Sequence, residues 1–173
     1  MLKQRVITGV SMAALFLAAV FWLPLPALAL LFAVVVALGG WEWAHLAGWE
    51  KPSLRVAYAV LLAAIMAALY SYCAPGEGPS QERVQPLLGL TCLWWSFALL
   101  WVKSYPSSAI LWRSILVRSL MGILILAFAW LAAVFLLSHP RGGVLMVIMV
   151  LLVVAADVGA YFTGKSLGRH HMA

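Results

Sequence analysis

ILVRSLMGILILAFAWLAAVFLL, residues 115–137, carries a single charge, Arg118, close to its start. Wound as a helix at about 1.5 Å per residue, it reaches roughly 35 Å, longer than a hydrocarbon core of about 30 Å is thick. Val6 to Leu23 and Leu54 to Cys73 have the same character. The whole chain follows suit: of 173 residues 66% are hydrophobic and 9% charged, with a mean hydropathy of +1.06. Water does not solvate such a composition. The expected fold class is all-α, a polytopic integral membrane protein.

Working outward from 115–137, six apolar segments can be marked, at about 6–23, 27–46, 54–73, 87–102, 115–137 and 144–163, forming one membrane domain over 1–173. Pro24-Leu25-Pro26 forces a reversal between the first two, because proline has no N–H to continue a helix and restricts the residue before it. The stretch 74–86, APGEGPSQERVQP, reads as a loop. The basic start Met1 to Arg5 and the small residues Ala27 to Ala29 have the outline of a signal peptide. However, the apolar run exceeds the usual ~7–15 residues and is followed by more apolar sequence, so a retained first span is expected.

The formal charge of +6 would suggest nucleic acid in a water-soluble protein. With one crossing per segment, Lys3, Arg5, Lys51, Arg55, Lys103, Arg113, Arg118, Lys165 and Arg169 fall on one side, and Arg83 and Arg141 on the other. Nine against two predicts about six transmembrane helices with both termini cytoplasmic, and leaves no reason to invoke nucleic acid. Trp22, Trp41, Trp43, Trp49, Trp101 and Trp112 lie near span ends and read as an interfacial belt. Cys73 and Cys92 offer no metal spacing and read as packing residues.

Polar chemistry enters the apolar segments at two places. Glu42 and His45, three residues apart, make a proton relay or half of a metal site, or more simply two headgroup anchors. Asp157 follows the uninterrupted run Val144 to Ala156, where an ionised carboxylate is costly and usually faces a cavity or a partner. On a helix Asp157, Ala160, Tyr161, Gly164, Lys165 and Gly168 share one face. Ala160, Gly164 and Gly168 alone are also a helix-packing pattern, and Lys165, Arg169, His170 and His171 alone are also a positively charged flank. Taken together, a carboxylate inside and cations at the rim suit a phosphate-bearing substrate and a divalent metal. The competing class is a small transporter or channel in which Asp157 is an ion or proton site.

At these residues the sequence resembles bacterial phosphatidate cytidylyltransferases. ADVGAYFTGKSLGRH matches the family's aspartate, Gly-Ala-Tyr, and glycine and basic pattern at Asp157, Gly159, Ala160, Tyr161, Gly164, Lys165, Gly168, Arg169 and His170. MLKQRVITG and WEWAHLAG are similar to its opening and second span. The resemblance implies conversion of CTP and phosphatidate to CDP-diacylglycerol and pyrophosphate in a bacterial inner membrane, with Mg²⁺ as cofactor. It implies catalytic roles for Asp157 and Lys165, with Asp157 as metal ligand, and substrate binding by Tyr161, Gly164, Gly168, Arg169 and His170. The implied partners are CTP, phosphatidate and membrane lipid, with a homodimer left open. The family's Ser-Pro-x-Lys-Thr stretch and carboxy-terminal signature find no counterpart here. The expectation is therefore an amino-terminal portion of such an enzyme, with little turnover by itself.

Overall fold

The computed structural model describes residues 2–74, 76 and 78–167. They form helices α1 (Leu2–Trp22), α2 (Leu25–Ala47), α3 (Pro52–Cys73), α4 (Gln81–Lys103), α5 (Ile115–Leu137) and α6 (Gly142–Leu167), with a short 3₁₀ turn over Ser107–Ile110. There is no strand among the described residues. Five helices, α2 to α6, are long and apolar enough to cross a membrane, while α1 has the shorter apolar stretch Val6–Trp22. At ~1.5 Å per residue that stretch spans about 26 Å, the lower edge of a crossing. The chain is an all-α, multi-pass membrane protein.

Local chemistry sets the helix ends. Pro24 precedes α2 in extended conformation, Pro26 sits in its first turn, and Pro52 opens α3, positions where the missing N–H has no helical partner to lose. Helix α2 stops at Gly48, whose φ of 109° lies in the left-handed region. The Gly48 and Trp49 N–H groups then close on the carbonyls of His45 and Ala44. Helix α4 begins at Gln81, ahead of the apolar run, and takes in Pro86. Pro86 forgoes the bond to the Glu82 carbonyl. Extended Ser80 ties this start to α3, its N–H donating to the Cys73 carbonyl at 2.8 Å. Arg83 Nη1 adds a bond to the Tyr72 carbonyl at 2.7 Å. The connection expected over 74–86 is thus shorter, because its second half is helical.

The chain divides into two compact units, one of residues 1–22 with 139–173 and one of residues 23–138. In the first, α1 meets α6 where Gly143 lies against Phe21 and Val20; a methyl there would stand 3.2 Å from the Phe21 ring. In the second, α2 packs on α3 and α5, and α4 on α5. Its core holds Ala29, Leu62, Met66, Cys73, Val84, Ala127, Trp130, Leu131 and Val134. Lipid tails are as apolar as leucine, so helices associate here through close fit rather than exclusion from water. Gly40 shows the fit, since a methyl in its place would come 2.6 Å from Leu62 Cδ2. Cys73 packs in this core, but Cys92 is exposed, so the packing reading holds for the first alone.

Candidate functional site

Helix α6 runs unbroken through Asp157 to Leu167, so Asp157, Ala160, Tyr161, Gly164 and Lys165 do share a face. Lys165 is nevertheless eight residues beyond Asp157, about 12 Å along the axis, and the two are not a contact pair. Gly168, Arg169, His170 and His171 lie outside the described residues. Every residue from Leu151 to Ser166 is exposed. Two hydroxyls nearby are satisfied within the helix: Thr163 Oγ1 donates to the Gly159 carbonyl at 2.8 Å, and Ser166 Oγ to the Phe162 carbonyl at 2.7 Å. The Tyr161 ring meets Phe162 edge-on, with centroids 5.6 Å apart. Among the described residues no hydrogen bond or ion pair engages the Asp157 carboxylate or the Lys165 ammonium.

Two consequences follow from that exposure. A methyl at Gly159 or Gly164 would meet nothing within 4 Å, so no described helix uses these glycines for close packing. An ionised carboxylate within an apolar helix is costly, by ~2.5–3.5 kcal/mol at a bilayer centre on insertion scales, and no compensating group stands beside Asp157 among the described residues. The described residues contain no cluster of three or more His, Cys, Asp or Glu able to hold a metal. Asp157 can give one carboxylate oxygen to a small divalent cation, whose other ligands would be water or phosphate oxygens. That is one ligand and not a metal centre.

Glu42 and His45 do not form a pair. Glu42 is exposed, and His45 Nδ1 lies 2.6 Å from Arg55 Nη2 instead. Guanidinium only donates, so Nδ1 is the acceptor. Arg55 Nε also donates to the Trp49 carbonyl at 2.9 Å, and the guanidinium lies 6.0 Å from the Trp41 ring. The cluster clasps the end of α2 to the start of α3, with His45 engaged by Arg55 and not by Glu42.

The tryptophans nearby do more than mark an interface. Trp43 Nε1 donates to the Arg118 carbonyl at 2.9 Å, and Trp49 Nε1 to Ser119 Oγ at 2.8 Å. Tyr58 adds its hydroxyl to the Ser119 carbonyl at 2.7 Å. These indoles bind α5 rather than water. Arg55 and Arg118, used above only as charge markers, are thus built into the helix contacts. Their one sequence signal is position, each lying about one turn inside an apolar helix rather than in the loop before it.

The sequence profile of the cytidylyltransferase family matches residues 3–173. A phosphatidate cytidylyltransferase of Pseudomonas aeruginosa is 39% identical over 173 residues, an alignment that takes in 100% of this chain and 61% of the relative. A phosphatidate cytidylyltransferase of Haemophilus influenzae is 33% identical over 184 residues, covering 100% of this chain and 64% of its own length. The chain therefore spans about three-fifths of the length of these curated relatives. No solved structure matches it.

Proposed function

The chain belongs to the cytidylyltransferase family, and from that membership we propose that it serves the reaction of CTP with phosphatidate to give CDP-diacylglycerol and pyrophosphate. What carries the reading is similarity along the whole chain to two phosphatidate cytidylyltransferases. An exposed carboxylate on α6, with no partner among the described residues, supports the choice of site. In the reaction a phosphatidate oxygen attacks the α-phosphorus of CTP, a new P–O–P link forms, and the bond to the β-phosphate breaks as pyrophosphate leaves. Little covalent chemistry falls to the protein; its work is alignment and neutralisation of charge.

In this reading Lys165, with Arg169 and His170, steadies phosphate oxygens. Gly164 and Gly168 let the triphosphate approach the helix, and Tyr161 flanks it. A divalent cation, Mg²⁺, would supply further neutralisation with Asp157 among its ligands. The proposed setting is a bacterial inner membrane with both termini cytoplasmic, the side from which a nucleotide arrives. Self-association into a homodimer belongs to the same proposal.

The test is a chimera in which this chain replaces the equivalent part of the Pseudomonas aeruginosa relative. Reconstituted with phosphatidate and labelled CTP, it is expected to form CDP-diacylglycerol, and Asp157→Asn to lower the rate by about 100-fold or more, as expected for lost electrostatic stabilisation. An inactive chimera beside an active relative refutes the activity. An unaffected Asp157→Asn chimera removes Asp157 from the site.

A further inference from the structure

Between α4 and α5, the side chains of Ala109, Ile110, Trp112, Arg113 and Arg118 line an open cavity of about 470 Å³. Its charged lining is two guanidinium groups with no carboxylate opposite. Trp112 is held as a wall by stacking on Tyr105, with centroids 6.3 Å apart and planes at 26°. Arg118 is fixed from behind, because its own carbonyl accepts the Trp43 indole N–H. The Arg118 Nε–H is buried and finds no acceptor among the described residues.

Buried donors of this kind are ordinarily paired, so the missing acceptor calls for a source. The end of α2 is close, a methyl at Gly48 falling 3.6 Å from Arg118 Nη2. The carbonyls of Ala44 and His45 there already accept from Gly48 and Trp49. Two planar forks with donors to spare suit an anion with several oxygens, above all a phosphate. Ile110 in the lining is apolar and exposed, as are Leu111 and Leu116 in the same stretch of chain, and that stretch joins two helices of membrane-crossing length. A phosphate held there has hydrocarbon beside it.

We propose that this cavity seats the phosphate of an anionic lipid, with Arg113 and Arg118 as the clamp and Trp112 as its wall. The assignment rests on the proposed activity for the choice of phosphatidate as that lipid, and it gives the headgroup a docking place within residues 109–118.

The test is binding to the 173-residue chain in detergent, by calorimetric titration with dioctanoyl phosphatidate, dioctanoyl phosphatidylcholine, inorganic phosphate and CTP in separate arms. Phosphatidate is expected to bind about tenfold or more tightly than the other three, and Arg113→Gln to weaken it by a similar factor, as when one charge-assisted hydrogen-bonding fork on phosphate is removed. Arg113→Gln combined with Arg118→Gln is expected to abolish it. Arg113 is exposed, so the single variant answers even where the double variant does not fold. Phosphatidate binding that is unchanged in Arg113→Gln overturns the site. Equal, arginine-dependent binding of free phosphate or CTP overturns the lipid assignment. Arginine-dependent lipid binding beside an inactive chimera leaves the site and removes the activity, and arginine-independent binding beside an active chimera does the reverse.

Discussion

A methyl group added at Gly122 would collide with the indole of Trp43 and the hydroxyl of Tyr58, whereas one added at Gly164 would meet open space. The two glycines therefore answer to different constraints. Gly122→Ala is expected to destabilise the purified chain by the ~1–3 kcal/mol typical of overpacking, read as a lower melting temperature. Gly164→Ala is expected to change stability by less than about 0.5 kcal/mol, as surface substitutions do. In the chimera the same Gly164→Ala should still reduce CDP-diacylglycerol formation; full activity there would remove Gly164 from the proposed site. Asp157 was legible in the sequence because a carboxylate after thirteen apolar residues, Val144 to Ala156, has no ordinary reason to be there. Arg118 was not. A cation near a span end is what the positive-inside rule expects of any loop flank, and only the fold shows that its Nε–H is buried and its carbonyl taken by Trp43.

Helices α2 and α5 are joined near both ends by indole hydrogen bonds, Trp43 Nε1 to the Arg118 carbonyl and Trp130 Nε1 to the Ala29 carbonyl, each 2.9 Å. The order of partners makes the helices antiparallel, and the ties lie about 18 Å apart along α5. Trp43→Phe and Trp130→Phe should each cost about 1 kcal/mol in denaturant or thermal unfolding, the usual net worth of one such bond. At that separation the losses should add, and a coupling clearly above ~0.5 kcal/mol would show that the ties are not independent. The existence of the helices was legible because apolar length alone dictates it. Their pairing was not, since in an apolar chain hydrophobicity no longer separates inward from outward faces. Ala29, Ala33, Ala37, Gly40 and Ala44 look alike in the sequence, and which of them receives Leu62 or Trp130 depends on what the partner helix presents. The early start of α4 was hidden by Pro86, which reads as a break but lies in the second turn of the helix.

At the scale of the whole molecule, the asymmetry of nine against two cations fixes a testable sidedness. With Cys73 and Cys92 replaced by alanine, a cysteine at Gly76, which is exposed between α3 and α4, should react with a membrane-impermeant maleimide in intact cells. One at Ser53, exposed at the start of α3, should react only after lysis. Labelling in the opposite order would invert the orientation, and with it the compartment from which CTP is proposed to enter. The two tryptophan ties have a mechanical meaning for residues 23–138. A rod bolted near both ends to its neighbour can neither roll about its own axis nor slide along it, so α2 and α5 behave as one stiff beam. Helix α4 contributes a single fully buried side chain, Val84, to the same unit. Of these four helices α4 is accordingly the one expected to yield first to bending imposed by the lipid, a leaf hinged on a rigid spine.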